Sequence, residues 1–584
     1  MSKQPTVITK DLAKATVKPN LTDYDQTYKD FSWDDAAKEL VDYFPDGTLN
    51  IAYNCVDRHA AGKRKDKAAL LFEGAAGEKE SYSFADLKEL TDKFANVLAD
   101  NQIAKGERVF IFLPPVPERY VAFLGILKLG AIAGTMFAAF QEMALLDRLA
   151  DSEAKVVITN ADLYPRIKSI QKDLPHLEKI IIVERGAAEL PKADDIVYYG
   201  QAMAEASSKF ETAHLQPDDY SYMLYTSGTT GKPKGVVHAH GDILQAITST
   251  KYALDIQEDD IYWCTADLGW VTGVVYGVLG IWGLGGTSVV YEGRYSPENW
   301  YNILQDYKVT VWYSAPTAIR MLMGADVQPK EFDLSSLRHL CSVGEPLNPE
   351  AIWWGLEAYG LPFHDTWWQT ELGAISITNY PALDIRPGSM GKPLPGIEAA
   401  IVDEHGQVLP IGTEGNLALK ASTVSSLMKT IWNNQSKFDS YFKGEWYISG
   451  DAATEDKDGY FWFVGRSDDV INTAGERVGP FEVESALVSY PDVIEAGVIG
   501  KPDEVRGQII KAFVVVKPGV KQDDELKQKL QQHVKKHLAG HAYPREIAFK
   551  DKLPKTRSGK IMRRILKAEE LGLPIGDTST LENY

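Results

Sequence analysis

Residues 81–183 alternate helix-like segments with short strand-like runs, and that alternation leaves few folds open to the chain. SFADLKELTDKFANVLADNQ is amphipathic, RVFIFL is strand-like, and KVVIT and KIIIV are short β-branched runs. Strands separated by helices imply parallel α/β layers. The pattern resumes in TVWYSA and LRHLCSVG, and Asn348, Pro349 and Glu350 read as a helix start, with an N-cap residue ahead of proline at the first helical position. There are no internal repeats.

A chain of 584 residues, 44% apolar and 24% charged, exceeds the size at which one hydrophobic core stops growing, so two or more domains are expected. Charge marks the division. The net charge is −19, yet residues 468–584 hold 19 Lys/Arg against 18 Asp/Glu. The shift coincides with Gly465, Arg466, Ser467, Asp468 and Asp469, where hairpin-like GYFWFVG gives way to a charged turn. Beyond it, FEVESALVSY and DDELKQKLQQHVKKHL read as helices, AGVIG and IKAFVVV as strands. The expected organisation is a large α/β domain over residues 1–467 and a small α+β domain over residues 468–584.

Several classes fall away. A net charge of −19 argues against a nucleic-acid binder. Cys55, Cys264 and Cys341 are widely spaced, form no C-x-x-C pair, and suit a reducing cytoplasm rather than a disulfide framework or zinc cluster. The N-terminus has no apolar segment of signal-peptide length. Residues 121–140 carry one charge, Lys128, and residues 271–291 carry none, but glycines interrupt both. Each reads as a buried helix followed by a buried strand rather than a membrane span.

The chemistry is concentrated in YTSGTTGKPKGVVH, residues 225–238. From Thr226 through Ser227, Gly228, Thr229, Thr230 and Gly231, small hydroxylated residues and glycines let backbone N–H groups and hydroxyls turn toward an anion. Lys232 and Lys234 add positive charge where polyphosphate oxygens would lie. A P-loop is excluded, because its signature places Ser or Thr after the Gly-Lys pair, and Pro233 stands there.

Further motifs follow in order: NCVDRH at 54–59, YWCTADLGWVTG at 262–273, SAPTAIR at 314–320, SVGEPLNPEA at 342–351, DTWWQTE at 365–371, SGD at 449–451, GRSDDVINTAGERV at 465–478 and LPKTRSGKIMRR at 553–564. With the 225–238 loop, this series resembles the adenylate-forming superfamily of acyl-CoA synthetases, luciferases and peptide-synthetase adenylation domains, most closely its acetyl-CoA synthetase branch. The resemblance runs from about residue 25 to GDTSTL near the end.

It implies a nucleotide pocket walled by Gly344, Glu345 and Pro346 and by Asp365, Thr366, Trp367, Trp368, Gln369 and Thr370, since aromatic faces and backbone amides suit a planar base. Asp451 would accept hydrogen bonds from the ribose, with Arg466 beside it and Asn472 among the nucleotide contacts. Arg477 would meet the α-phosphate, and Lys560 would be the adenylation lysine; its run, TRSGKIMRR, is too basic to pack without anionic partners. Trp368 would close the acyl pocket to all but very short chains, with Val271, Thr272 and Val343 lining the rest. Glu371 is the candidate contact to a Mg²⁺ ion carried by ATP.

The implied activity is AMP-forming acetate–CoA ligation through an acetyl-adenylate, with ATP, acetate and coenzyme A as small-molecule substrates. Asp468 resembles the hinge about which a mobile C-terminal domain exchanges Lys560 for a coenzyme-facing surface around Ala474 and Gly475. Thr272, Lys168 and Lys535 complete the implied coenzyme contacts. Here the chain departs from the longer members of the branch: Ala138, Ala139, Phe140 and Gln141 replace a glycine-rich turn, Ala474 replaces a frequent serine, and Tyr490 a frequent histidine. Lys560 also offers a target for a lysine acetyltransferase and deacetylase, since acetylation would erase its charge. The alternatives are a ligase for propionate or another short acid, and a nucleotide sensor, which would need the loop but no Lys560.

Overall fold

A computed structural model describes residues 7–186, 188–226, 233–467, 469–473, 476–503, 506–538, 542–556, 560–575, 578 and 581. Within it the expected alternation forms an eight-stranded sheet. Arg108–Ile111, Ile132–Thr135, Val156–Asn160, Lys179–Val183, Ile196–Tyr198 and Tyr220–Thr226 are its parallel strands. Lys234–Ala239 runs antiparallel to Tyr220–Thr226, with Thr226 paired to Lys234, so the motif at 225–238 joins two neighbouring strands. Ser227, Gly228, Thr229, Thr230, Gly231 and Lys232 lie outside the described residues.

Local rules account for the covering helices. Phe84–Asp100 starts at a capping box in which Ser83 and Asp86 satisfy each other's backbone N–H groups, and it buries Phe84, Leu87, Phe94 and Leu98. It packs on Pro117–Leu129, which ends where Gly130 takes φ +81°.

The two apolar stretches are a helix followed by a strand, as expected: Pro117–Leu129 with Ile132–Thr135, and the continuous helical turns Val271–Val274, Val275–Leu279 and Gly280–Gly283 with Thr287–Tyr291. Lys128 is fully buried, and its charge is met by Asp57 at 2.6 Å and by Asp92. Among the described residues, no helix is long and apolar enough to cross a membrane.

A fourteen-stranded sheet holds a second parallel series, in the spatial order Phe363–Trp367, His339–Ser342, Val311–Ser314, Ile261–Cys264, Thr287–Tyr291 and Ala68–Glu73. Past Phe363–Trp367 it continues antiparallel to the hairpin Trp446–Glu455 and Phe461–Arg466. A five-stranded sheet follows, built on the long pair Val493–Asp503 and Gly507–Val516. Helices Pro480–Val488 and Asp524–His537 cover it around its own apolar core.

Candidate active site

Three neighbouring parallel strands deliver their C-terminal ends to one cleft: Val311–Ser314 leads to Thr317 and Arg320, His339–Ser342 to Gly344 and Glu345, and Phe363–Trp367 to Trp368 and Gln369. Such ends collect ligands in open α/β sheets, because loops there are freed from the ladder. Gly344 takes φ +99°, a turn that glycine makes without Cβ strain. Arg320 then holds the loop, placing Nη2 3.1 Å from both oxygens of Glu345, while Thr317 N–H and Oγ1 donate to Glu345 Oε1 at 3.0 and 2.5 Å.

The hairpin supplies the opposite wall. Asp451 is 5% exposed and both of its carboxylate oxygens accept hydrogen bonds. Trp367 Nε1 and Gln369 Nε2 donate to Oδ2 at 2.9 and 3.0 Å, and Arg466 Nη1 donates to Oδ1 at 2.8 Å. Tyr447 donates to Gln369 Oε1 at 2.8 Å, which fixes the amide's orientation. The indole, amide, carboxylate and guanidinium form one rigid polar frame. Trp368 turns the other way, packing edge-on against Tyr276 at 5.2 Å and against the apolar cluster that contains Val271 and Val343.

The five-stranded unit closes the cleft, whose cavity volume is about 150 Å³. Lys560 lies on this wall. Its side chain keeps solvent contact within the cleft, but the surrounding protein lowers its pKa, chiefly by desolvation and then by the positive charge of Arg466. Asp451 and Glu345 act in the opposite sense, and Arg563 in the same sense as Arg466. The basic run around Lys560 does find anionic partners, and the protein itself provides them: Arg563 donates to both oxygens of Glu484 at 2.8 and 2.6 Å, and Lys555 pairs with Glu495 at 2.5 Å. Its flanks are therefore not a free basic tail.

A family model described as AMP-binding enzyme matches residues 56–432, and one described as AMP-binding enzyme C-terminal domain matches residues 482–560. The chain belongs to the AMP-binding enzyme family. The acetyl-coenzyme A synthetase of Bacillus subtilis (strain 168) is 53% identical over 97% of this chain and 98% of its own length. That of Methanothrix thermoacetophila is 42% identical over 96% and 91%. Among solved structures, an anthranilate CoA ligase in complex with anthranoyl-AMP superposes with a TM-score of 0.83, at 32% identity over 90% of this chain and 98% of its own. An acyl-CoA synthetase of Brucella canis gives 0.72 at 34% identity over 94% and 99%. This AMP-binding enzyme thus has the adenylate-forming fold.

Not every residue expected at the site reaches the cleft of this AMP-binding enzyme. Glu371 accepts a hydrogen bond from Tyr441 at 2.9 Å, and the Thr370 carbonyl lies 2.8 Å from His238 Nε2. Lys234 stands near Glu371; burial, then Lys437, lowers its pKa. Thr272 is buried beside Val271. Lys168 and Lys535 are not gathered there: Lys168 is exposed and bonded to Gln171 at 3.0 Å, and Lys535 lies 3.9 Å above the Tyr543 ring. Asn472 is exposed and pairs through its backbone with Arg477, whose side chain, like Asp468, Ala474 and Gly475, lies outside the described residues. Arg320 was not singled out from the sequence, although the quoted SAPTAIR motif ends in it.

Asp365 belongs both to the cleft lining and to the strand Phe363–Trp367. It reaches the cleft lining, but its carboxyl points into the protein, accepting from Ser342 Oγ at 2.6 Å and from Leu347 N–H at 3.4 Å, so it ties the Glu345 loop to its strand. Burial pushes its pKa up to about 7, against the lowering effect of these hydrogen bonds. The folded chain therefore binds this proton more tightly than the unfolded chain, whose aspartate titrates near about 4, and stability falls as pH rises from there to about 7. Asp365→Asn removes the titration. Its unfolding free energy relative to wild type is expected to rise by on the order of 2 kcal/mol between pH 5 and pH 8. Denaturant midpoints of both proteins across that range check the result; parallel pH profiles would contradict it.

Proposed function

We propose that this protein is an AMP-forming acetate–CoA ligase. The observation that carries the reading is the convergence of Lys560 with Asp451, Arg466 and Glu345 in one cleft. Full-length similarity to acetyl-coenzyme A synthetases supports the choice of acid, and the likeness to a ligase in complex with anthranoyl-AMP supports an acyl-adenylate intermediate.

In this mechanism the carboxylate of acetate attacks the α-phosphorus of magnesium–ATP, pyrophosphate leaves, and the thiol of coenzyme A displaces AMP from the acetyl-adenylate. The nucleophile is already ionised, so no general base is needed, and the protein contributes position and charge. Asp451 receives the ribose hydroxyls from the frame of Trp367, Gln369 and Arg466. Arg477 and Lys560 stabilise charge at the α-phosphate, and the loop from Thr226 to Lys234 holds the remaining phosphates.

Mg²⁺ enters as part of the nucleotide. Among the described residues no cluster of three His, Cys, Asp or Glu side chains could hold a metal by itself. Glu371 is the carboxylate that would hold it, with water supplying most of the remaining ligands. Asp468 serves as the hinge that removes Lys560 once the adenylate has formed. Trp368 stops the acyl pocket short, so acetate is preferred over propionate and longer acids. ATP–pyrophosphate exchange across acetate, propionate, butyrate and benzoate tests the reading. Acetate is expected to give the highest rate; no exchange with any acid, or a longer acid first, would overturn it.

A further inference from the structure

Asn348 sits at the N-cap of helix Pro349–Tyr359 but makes no side-chain cap hydrogen bond. Asparagine is favoured at that position because its oxygen accepts from the first helical turn, and here both ends of the amide are used elsewhere. Its Oδ1 accepts from Arg320 Nη1 at 3.1 Å, and its Nδ2 donates to Ser485 Oγ at 2.8 Å. Asn348 is 4% exposed and Arg320 9%, so the Arg320–Asn348 bond is buried, while the Asn348–Ser485 bond is half-buried. One end is Glu345, in the loop of the nucleotide cleft; the other is helix Pro480–Val488, which belongs to the unit that carries Lys560.

A second observation lies at the start of the same helix. A Cβ added to Gly479 would sit 2.1 Å from the carbonyl oxygen of Val464, on the last strand of the hairpin. Gly479 has φ −72°, which any residue adopts, so glycine is required by the approach of the two units and not by its own backbone. Phe481 also meets Phe463 edge-on at 5.9 Å across the same seam.

We propose that Asn348 is a positioning residue that latches helix Pro480–Val488 through Ser485 in the orientation that brings Lys560 to the cleft, and that Arg320 ties this latch to the Glu345 loop. The inference rests on the ligase reading, in which that orientation serves adenylation and must be given up for thioester formation. Nucleotide contact at the Glu345 loop then strengthens the latch. A single half-buried hydrogen bond between neutral groups is suited to such a latch, because it biases a two-state element without locking it.

Ser485→Ala removes the interdomain bond and leaves Arg320, Asn348 and Glu345 in place. It is expected to slow acetate-dependent ATP–pyrophosphate exchange by about two- to tenfold, to leave thioester formation from supplied acetyl-adenylate and CoA unchanged, and to be rescued by Ser485→Thr. Gly479→Ala, which blocks the approach, is expected to cost exchange more than Ser485→Ala while sparing the thioester step. Amide hydrogen exchange of helix Pro480–Val488 in the full chain, without ligand and with AMP, gives a readout independent of turnover. AMP should protect the helix in wild type and protect it less in Ser485→Ala. Equal loss of both half-reactions, or equal AMP protection in the two proteins, overturns the latch. Absence of acetate-dependent exchange in wild type overturns the ligase reading instead, and the hydrogen-exchange comparison still decides the latch.

Discussion

Lys560→Ala is expected to reduce acetate-dependent ATP–pyrophosphate exchange by about 10²–10³-fold, the usual cost of removing one group aimed at developing transition-state charge. Thioester formation from supplied acetyl-adenylate and CoA should persist. The asymmetry follows from the surroundings of the ammonium. Desolvation and then the Arg466 guanidinium disfavour its charge in the cleft, and the negative charge of an incoming polyphosphate favours it. Little else depends on this side chain, which is exposed within the cleft, and the variant should fold with an unchanged thermal midpoint. Purified variant and wild type compared in the two half-reactions check the result. Parallel loss in both would remove Lys560 from a role confined to adenylation.

Trp368→Gly is expected to reverse the order of acids. The indole packs edge-on against Tyr276 at 5.2 Å, beside the cluster containing Val271 and Val343, so its removal opens an apolar space continuous with the cleft. Each methylene buried there gains roughly 0.8 kcal/mol. Valerate carries three more than acetate, enough to raise its kcat/KM by on the order of tenfold or more relative to acetate once the steric barrier is gone. Acetate itself should be used less well, because the cavity leaves it poorly held. The measurement is kcat/KM for acetate, propionate, butyrate and valerate in both proteins. If acetate still ranks first in the variant, Trp368 is not the end of the acyl pocket.

Much of the fold was legible in the chain because it is written locally. The period of SFADLKELTDKFANVLADNQ predicts the helix found at Phe84–Asp100, and the β-branched runs predict Val156–Asn160 and Lys179–Val183. Gly130 and Pro349 stand at helix ends where their backbone preferences put them. Of the candidate site, the motifs SVGEPLNPEA, DTWWQTE, SGD and SGKIMRR pointed to residues that do line a common cleft. Lys168 and Lys535, the implied coenzyme contacts, lie outside that cleft.

Local sequence was thus enough for the element types, the parallel α/β class, the family and the residues around which chemistry is organised, because periodicity, turn residues and motifs act over a few positions. Three features emerged only on folding: the direction of the Asp365 carboxyl, the pairing of Glu484 and Glu495 with the basic run at Lys560, and the diversion of Asn348 from capping a helix to joining two units. Each of these joins groups that are distant in the chain, Asn348 and Ser485 being 137 residues apart. The energy of such a contact depends on burial and on which partner arrives, and no local pattern encodes either.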